Sequence, residues 1–458
     1  MKSRKKKKEF YTEYTARNAL KNGSFIVRLS AIVFGLGCLV HKQIAKGILY
    51  LTSEILLIVY MVQTGFYNLS KFRTLGDVEQ QKVWNEAKSL YEYVDGDRSL
   101  IILLYGIVTL SLILVFFLIA KSSLKQAYRL ECQSKKGEQI LTLKQELKEL
   151  LNGNLPITLL TFPVLGVLMF TILPLVFMIS MAFTNYSVEG NKLVLFDWVG
   201  LENFRKIFDF GDSLGQTFWS VFGWTMVWAV VATFSNYILG MLLALFINWK
   251  EIRAKKMWRF CFALTVAIPH FVTLLIIKSM LQPEGAVNIL LRNLGLIGAT
   301  QPLPFFTDAT WARVVVILIN IWVGVPYTLL QVTGILQNIP TELYEAARVD
   351  GAGPIVTFMK ITLPYMLFVT TPYLITTFTG NVNNFNVIFL TTEGLPRSVG
   401  STAGKTDLLI TWLYKLTIEN QYFDVGAVVG IMTFVTLTIV SLVTFTFSGS
   451  NRNEEAFR

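Results

Sequence analysis

Long runs of uncharged, largely apolar residues alternate with short charged segments along the 458-residue chain. An ionised group at the bilayer centre costs roughly 2.5 to 3.5 kcal/mol, and a membrane-spanning helix needs about 20 apolar residues. We therefore predict an all-α, polytopic helical membrane protein with about eight transmembrane helices. The uncharged runs are Ile55 to Ser70, Ser99 to Ala120, Leu150 to Val188, Ser213 to Trp249, Phe260 to Ile277, Val314 to Thr341, Ile361 to Thr392 and Val425 to Asn451.

The start of the chain contains one further apolar stretch, Leu29 to Val40, which follows a basic tail. If this stretch crossed the membrane, either the basic tail would lie outside or every later loop would invert, against the positive-inside rule. We interpret it as a re-entrant or interfacial segment. The first span is then predicted to begin near Ile44 and to contain Glu54, which should face protein or water rather than lipid.

The distribution of positive charge predicts the orientation of the spans. With the N-terminal tail inside, the cytoplasmic segments hold about twice as many Lys and Arg residues as the outer loops. The loop Trp249 to Arg259 is the strongest single indication. Both termini are therefore predicted to be cytoplasmic in a multi-pass protein of the cell membrane. The outer loops, at about 30 residues each, are too short to form a soluble domain with its own core.

These boundaries predict a basic cytoplasmic tail (1–23), an N-terminal membrane region (24–156), a core of six spans (157–448) and a cytoplasmic C-terminal tail (449–458). The N-terminal region holds two spans and a cytoplasmic linker. Within that linker, Lys135 to Leu151 alternates charged and apolar residues with a period near 3.6. This pattern is typical of an amphipathic helix lying against the membrane or a partner, and equally of a solvated linker helix.

Composition limits the chemistry that the chain can perform. Apolar residues make up 53% and charged residues only 16%. In a membrane protein, a net charge of +11 reflects cytoplasmic loops that face anionic membrane lipid, so nucleic acid is not an expected partner. Three dispersed cysteines and two distant histidines indicate neither a disulfide framework nor a metal site, and no cofactor is expected.

The inner loop 338–363 differs from the others because it is not basic. Pro340 suits a first helical turn, and Glu342 lies near the positive end of the helix dipole. Gly351 suits a left-handed cap, and Pro354 prevents the helix from continuing. A short helix ending at Gly351 is therefore predicted. Four residues share one face of it, and two are alanines that allow close approach of another surface: Leu343, Ala346, Ala347 and Asp350.

This loop resembles the EAA loop of permease subunits of binding-protein-dependent ABC importers. The resemblance is carried by Glu345-Ala346-Ala347, Gly351, Ile361 and Leu363-Pro364 within the segment 338–364. It implies that the short helix docks into a separate ATPase through Leu343, Glu345, Ala346, Ala347, Asp350 and Gly351. It also implies a second permease subunit, two ATP-binding cassette ATPase subunits and an extracellular solute-binding lipoprotein as partners. The plainer alternative is a capped helical connection between two spans.

From about Ile157 onward the chain resembles the MalF-type maltose/maltodextrin permeases. Asn383 to Leu390 and Ala403 to Leu409 carry this resemblance, which implies an oligosaccharide substrate. Some members insert a large domain into the outer loop that corresponds to 184–215, and this chain does not. A surface lipoprotein in a bacterium with a single membrane is therefore the expected receptor.

Neutral sugars require amides and hydroxyls for their own hydroxyl groups, and the spans after Val314 and Ile361 supply them. The resemblance implies sugar contacts near mid-membrane at Asn320, Val323, Gly324, Tyr327, Thr377, Gly380, Asn381 and Asn384. The last four also fall at helical spacing and should share one face. Gly380 stands where the family usually has an aromatic ring, which indicates weaker stacking or a wider cavity. Such residues also stabilise contacts between transmembrane helices, by about 0.6 kcal/mol per pair.

Gly400 to Thr406 approaches the phosphate-binding pattern, but it is one residue short and lies in an outer loop. We expect no nucleotide-binding or catalytic site on this chain. The sequence thus predicts an alternating-access permease subunit that imports an oligosaccharide, most simply maltose or maltodextrin. The alternatives are an ABC permease for another oligosaccharide and an ion-coupled secondary sugar transporter, for which Glu54 is the best intramembrane acid.

Overall fold

A computed structural model describes residues 14–447 except 87, 139, 143–144, 146–147, 149–151, 153–154, 189–192, 250 and 299. Within these residues, seven helices are long and apolar enough to cross a membrane. The number becomes eight if Lys255–Ala267 and His270–Met280, which meet at 86°, form one broken span. The predicted number of spans is therefore confirmed. Much of the predicted helix Lys135 to Leu151 lies outside the described residues.

The chain divides after Gly200 into two compact units. The span Thr158–Met181, which the sequence assigned to the core of residues 157–448, lies in the first unit. The elements of this unit are α1 (Ala16–Asn22), α2 (Phe25–Leu29), α3 (Leu36–Val40), α4 (Ile44–Tyr60), α5 (Phe66–Lys71), β1 (Gln81–Asn85), β2 (Leu90–Val94), α6 (Ser99–Lys135), α7 (Leu155–Val167) and α8 (Leu173–Met181). The π-helical turns Met61–Gly65 and Leu168–Ile172 join α4 to α5 and α7 to α8.

The apolar stretch before α4 does not form one long helix. It begins at the last residue of the short helix α2, continues through turns and ends in the short helix α3, and Gly35 before α3 has a positive φ of 79°. The Phe34 amide donates to the buried Glu54 carboxylate at 2.8 Å, and the Gly35 amide donates to Ser123 Oγ at 2.8 Å. Glu54 therefore faces protein, as predicted, and stabilises the turn.

The outer loop after α5 contains a feature that the sequence analysis did not predict. Strands β1 and β2 form an antiparallel hairpin in which Gln81 pairs with Val94 and Asn85 with Leu90. Residues on both faces of this hairpin are largely exposed. The alternation of apolar and polar residues that identifies a half-buried strand is therefore missing from the sequence.

A single buried carboxylate, that of Asp97, ties the base of the hairpin to the end of α5. It accepts hydrogen bonds from Lys71 Nζ and, at 2.8 Å, from the Tyr67 hydroxyl. It also accepts from the amides of Asp77 and Val78 at 3.0 and 3.1 Å. Burial alone would raise the pKa of Asp97, but these donors together hold it well below its usual range.

The second unit begins after Gly200 and carries most of the predicted functional residues. Its helices are α9 (Glu202–Phe208), α10 (Ser213–Asn248), α11 (Lys255–Ala267), α12 (His270–Met280), α13 (Ala286–Asn293), α14 (Ala309–Leu336), α15 (Thr341–Val349), α16 (Pro354–Thr357), α17 (Leu363–Val382), α18 (Phe385–Thr391), α19 (Leu409–Tyr414) and α20 (Phe423–Phe447). The π-helical turns Phe358–Thr362 and Lys415–Glu419 precede α17 and follow α19.

The core of the second unit forms where α10 packs along α14 and α17. Small residues set this approach, since a Cβ at Gly240 would lie 2.6 Å from the Thr328 side chain. The fully buried Trp228 donates from Nε1 to the Asn381 carbonyl at 3.0 Å and so fixes the end of α17. The break between α11 and α12 falls at Pro269, which lacks the amide that a continuous helix needs.

We predict that Asp97→Asn loosens the hairpin without unfolding the spans. Hydrogen bonds to a charged group contribute about 1.5 to 3 kcal/mol, so hairpin amides should exchange with deuterium about 10 to 100 times faster at neutral pH. The folded-state pKa is lowered, so this contribution is complete above the ordinary carboxyl pKa and declines only as pH falls. Asp95→Asn, which alters an exposed carboxyl two residues away, is the control. Equal exchange in the two variants would contradict the proposed role.

Candidate functional site

Amide side chains from several helices meet in the otherwise apolar core of the second unit. Asn320 on α14, Asn381 on α17 and Asn236 on α10 are each only 5 to 6% exposed. Asn384 Nδ2 donates to Asn320 Oδ1 at 3.3 Å, and its backbone amide donates to the Asn381 carbonyl at 3.2 Å. Asn381 Nδ2 donates to Thr233 Oγ1 at 2.9 Å. The structure therefore brings together Asn320, Asn381 and Asn384, the three asparagines that the sequence analysis assigned to the site.

The prediction of one continuous helical face was wrong at Asn384. Helix α17 ends two residues earlier, and Asn384 caps α18 by accepting from the Val387 amide at 3.3 Å. Asparagine side chains compete with backbone hydrogen bonding, so consecutive asparagines favour a break that spacing alone does not reveal. Thr377 is half-buried on α17, and Gly380 is exposed with open space where a Cβ would stand.

Gly324 on α14 contacts Asn236, a residue that the sequence analysis did not select. A Cβ at position 324 would lie 2.3 Å from Asn236 Nδ2, so the two helices approach this closely only because residue 324 is glycine. The available signal was an amide near the middle of the uncharged run Ser213 to Trp249, since buried polar groups in spans are functional candidates.

Two polar atoms of the cluster have no hydrogen-bond partner in the part of the chain that the structure describes. They are the acceptor Asn236 Oδ1 and the donor Asn320 Nδ2. A buried polar atom without a partner costs about 1 to 3 kcal/mol, so each requires an explanation. A hydroxyl group both donates and accepts, so a neutral, hydroxyl-bearing ligand matches this pair of atoms.

The remaining predicted site residues lie on α14, after Asn320. Val323, Gly324 and Tyr327 lie at i+3, i+4 and i+7 from Asn320, which places them on one side of the helix. Val323 is half-buried, and the Tyr327 side chain is 46% exposed. Tyr327 therefore supplies an accessible aromatic ring near the amide cluster.

Helix α15 connects α14 to the following span and ends as predicted. Gly351 has a φ of +75°, so the left-handed cap is confirmed. The Tyr344 hydroxyl lies 3.1 Å from Thr362 Oγ1 and ties α15 to the π-helical turn before α17. Of the six residues assigned to ATPase coupling, four side chains on α15 and at its end are exposed: Leu343, Glu345, Ala346 and Asp350.

The predicted four-residue face of α15 requires one correction. Ala347 lies three residues after Tyr344 and is turned inward with it, leaving Ala347 only 8% exposed. Two apolar side chains that the sequence analysis did not single out, Val349 and Ile355, are 88% and 79% exposed on either side of Gly351. The accessible apolar surface here therefore includes these two residues and excludes Ala347.

The segment Gly400 to Thr406 folds around a carboxylate. The Gly404 amide donates to Asp407 Oδ2 at 2.6 Å, and the same oxygen accepts from Lys415 Nζ at 2.7 Å. Asp407 is fully buried, and its other oxygen accepts from Thr411 Oγ1 at 2.9 Å. The glycine amide that a phosphate-binding loop would direct at a ligand is therefore bonded within the protein.

The fold and the site define a polytopic helical membrane protein with an uncharged polar cluster between its spans and a capped helix connecting two of them. The profile of the family described as "Binding-protein-dependent transport system inner membrane component" matches residues 236–452. The galactooligosaccharides transport system permease protein GanP of Bacillus subtilis (strain 168) is 34% identical over 432 residues, which cover 94% of this chain and 99% of GanP.

Two further relatives are permeases of maltodextrin transport systems. The maltodextrin transport system permease protein MdxF of Bacillus subtilis (strain 168) is 35% identical over 93% of this chain and 96% of MdxF. The maltose/maltodextrin transport system permease protein MalF of Escherichia coli (strain K12) is 36% identical over 53% of this chain and 48% of MalF. A solved bacterial ABC transporter involved in alginate import shares the fold at a TM-score of 0.55 and 22% identity, covering 68% of this chain and 100% of that chain.

The chain therefore belongs to the family of binding-protein-dependent transport permeases, and it is a multi-pass membrane protein. The predicted resemblance to the EAA-loop permeases of MalF type is confirmed.

We predict that Gly324→Ala destabilises the protein through its contact with Asn236. Overpacking of this kind costs about 1 to 3 kcal/mol, which would lower the unfolding midpoint of the purified protein in detergent. Combining it with Asn236→Ala should cost less than the sum of the single changes. Gly334→Ala on the same helix, where a Cβ meets open space, is the control. The contact has no such role if the 324 and 334 variants are equally stable.

Proposed function

We propose that this chain is a permease subunit of an ATP-driven ABC importer that carries a neutral oligosaccharide, with maltodextrin as the first candidate. The observation that carries the proposal is the buried cluster of amides, in which one acceptor and one donor have no described partner. Hydroxyl groups satisfy both, and ionic substrates would require charged side chains that this cluster does not contain. GanP and MdxF, which are similar to nearly the full chain, are transport permeases for galactooligosaccharides and maltodextrin, and this similarity supports an oligosaccharide substrate.

In this proposal the sugar is held by uncharged groups from α10, α14, α17 and α18. Asn236, Asn320 and Asn384 supply amides, while Tyr327 supplies a ring for the flat face of a glucose unit. The open space at Gly380 favours a long or branched substrate over a compact one. Thr377 and Asn381 complete the assignment, although the Asn381 side chain also bonds Thr233 and so contributes to helix packing.

The proposed partners are a second permease subunit, two ATPase subunits and an extracellular solute-binding lipoprotein. The excess of Lys and Arg in the predicted inner loops supports a cytoplasmic position for both termini and for α15. There the exposed Leu343, Val349 and Ile355 offer an apolar contact surface to an ATPase. The rigid cap at Gly351 then transmits movement of that ATPase to the following span.

An ion-coupled transporter would need an intramembrane acid that can exchange its ion. Its candidate, Glu54, is buried in the first unit and accepts the Phe34 amide. This hydrogen bond favours a role in stabilising the turn before α4. ATP hydrolysis by partner subunits is therefore the proposed energy source.

Uptake of labelled maltodextrins by right-side-out membrane vesicles tests the proposed function. We expect uptake only with ATP inside. Asn320→Ala should raise the sugar concentration for half-maximal uptake about two- to tenfold, since a hydrogen bond contributes about 0.5 to 1.5 kcal/mol. Asn383→Ala, which removes an exposed amide bonded only to the Thr379 carbonyl among the described residues, is the matched control. Uptake driven by an ion gradient without ATP would exclude the proposal.

Gly351→Val should uncouple the transporter. A β-branched residue in the left-handed conformation costs about 1 to 3 kcal/mol, which displaces the end of α15. Sugar-stimulated ATP hydrolysis by the assembled complex should therefore fall about fivefold or more. Gly353→Val is the matched control because Gly353 has an extended backbone and the same open surroundings. If both variants hydrolyse ATP like the parent protein, α15 has no coupling role.

A further inference from the structure

A long apolar groove runs between α10, α11 and α14 in the second unit. Its volume is about 640 Å³, within the range of roughly 300 to 1,000 Å³ that small-molecule ligands occupy. Its walls are almost entirely aliphatic and aromatic, and it lies apart from the amide cluster, on the neighbouring side of α14. Its principal lining residues are Leu242, Leu243, Phe246, Phe262, Trp322 and Pro326.

Two cations, Lys255 and Arg259, converge on Asn248, which lies close along the chain to the groove residue Phe246. Lys255 Nζ donates to the Asn248 carbonyl at 3.0 Å, and the Arg259 guanidinium donates to Asn248 Oδ1. Asn248 follows Phe246 by two residues, and Phe262 follows Arg259 by one helical turn. On α11, Lys255, Arg259 and the groove residue Phe262 follow one another at helical spacing, so both positive charges lie on the same side of this helix as Phe262, toward its N-terminus.

Both cations have only neutral partners among the described residues. The Gln337 side-chain oxygen, in the amide orientation that satisfies both groups, lies 3.0 and 3.2 Å from Arg259 nitrogens. Arg259 Nε is buried and has no partner in the described chain. Neither Lys255 nor Arg259 forms an ion pair with any carboxylate that the structure describes. Neither cation is therefore neutralised by an ion pair within the described residues.

We propose that this groove binds an acyl chain of an anionic phospholipid whose headgroup phosphate contacts Lys255 and Arg259. The apolar walls match a hydrocarbon chain, and the two cations match a phosphate in both charge and hydrogen bonding. Basic pockets between transmembrane helices on the cytoplasmic side suit such headgroups. Both cations belong to the loop Trp249 to Arg259, the most basic of the predicted cytoplasmic loops. Trp258, 46% exposed beside Arg259, suits the membrane interface.

A helix of a second permease subunit is the competing occupant. It could cover the apolar walls, but it would also need a carboxylate at a cytoplasmic end, where positive residues predominate. The charge of Lys255 and Arg259 therefore favours lipid. The inference concerns lipid binding only and stands whether or not the proposed oligosaccharide is the substrate.

The test uses the transporter purified with its native partners through a tag on this chain and placed in lipid nanodiscs. Phosphatidylglycerol and phosphatidylcholine probes, each with a photoreactive acyl chain, are crosslinked and the labelled peptides are identified by mass spectrometry. We expect the phosphatidylglycerol probe to label α10, α11 and α14 at the groove, and the phosphatidylcholine probe to label it several times less. Lys255→Gln should lower phosphatidylglycerol labelling about fivefold, the effect of one cation near the surface.

Arg253→Gln removes an exposed charge from the same loop and should leave labelling unchanged. Arg259 also contacts both α10 and the end of α14, so Arg259→Gln can disturb the fold as well as remove the charge. Arg259→Lys keeps the positive charge and should therefore retain lipid labelling. Leu242→Trp fills the groove, keeps both cations and should abolish labelling. Equal labelling by the two probes, an equal loss in the Arg253 and Lys255 variants, or no labelling because a partner helix fills the groove would each overturn the proposal.

Discussion

A polar group inside a bilayer must find its partners within the protein, and this constraint decides where the polar residues of this chain lie. Glu54 bonds a backbone amide, Asn381 bonds a threonine hydroxyl, and Asn384 bonds Asn320. At the ends of the spans, where water is available, carboxylates such as Asp97 still collect several donors and thereby fix loops. Asn236 Oδ1 and Asn320 Nδ2 are among the few buried side-chain atoms that have no partner in the described part of the chain.

The features that the sequence predicted correctly rest on local properties. The cost of burying charge locates the spans, and it also indicates that Glu54 must turn toward protein. The left-handed cap at Gly351 follows from the lack of a side chain and from the proline that comes soon after. Each of these conclusions requires only a short segment and the solvent around it.

The features that the sequence analysis missed depend on partners far away in the chain. Asn236 joins the amide cluster only because Gly324, many residues later, lets α14 approach it. The inward turn of Ala347 is set by Tyr344, which bonds a hydroxyl on the next span. The break before Asn384 depends on a balance between side-chain and backbone hydrogen bonds. This balance cannot be predicted from the helical spacing of the residues.

Asn236 Oδ1 and Asn320 Nδ2, which have no partner among the described residues, have almost no accessible surface, and Asn236 lies where α10 meets Gly324 of α14. In the proposed site, a ligand would reach Asn236 only after α10 and α14 had moved apart, so the free energy of that contact would be offset by the work of separation. If the proposed site is correct, ligand binding and separation of the two helices are therefore thermodynamically coupled. A change that merely loosens the helix pair would tighten apparent binding, even at a position that the ligand never reaches.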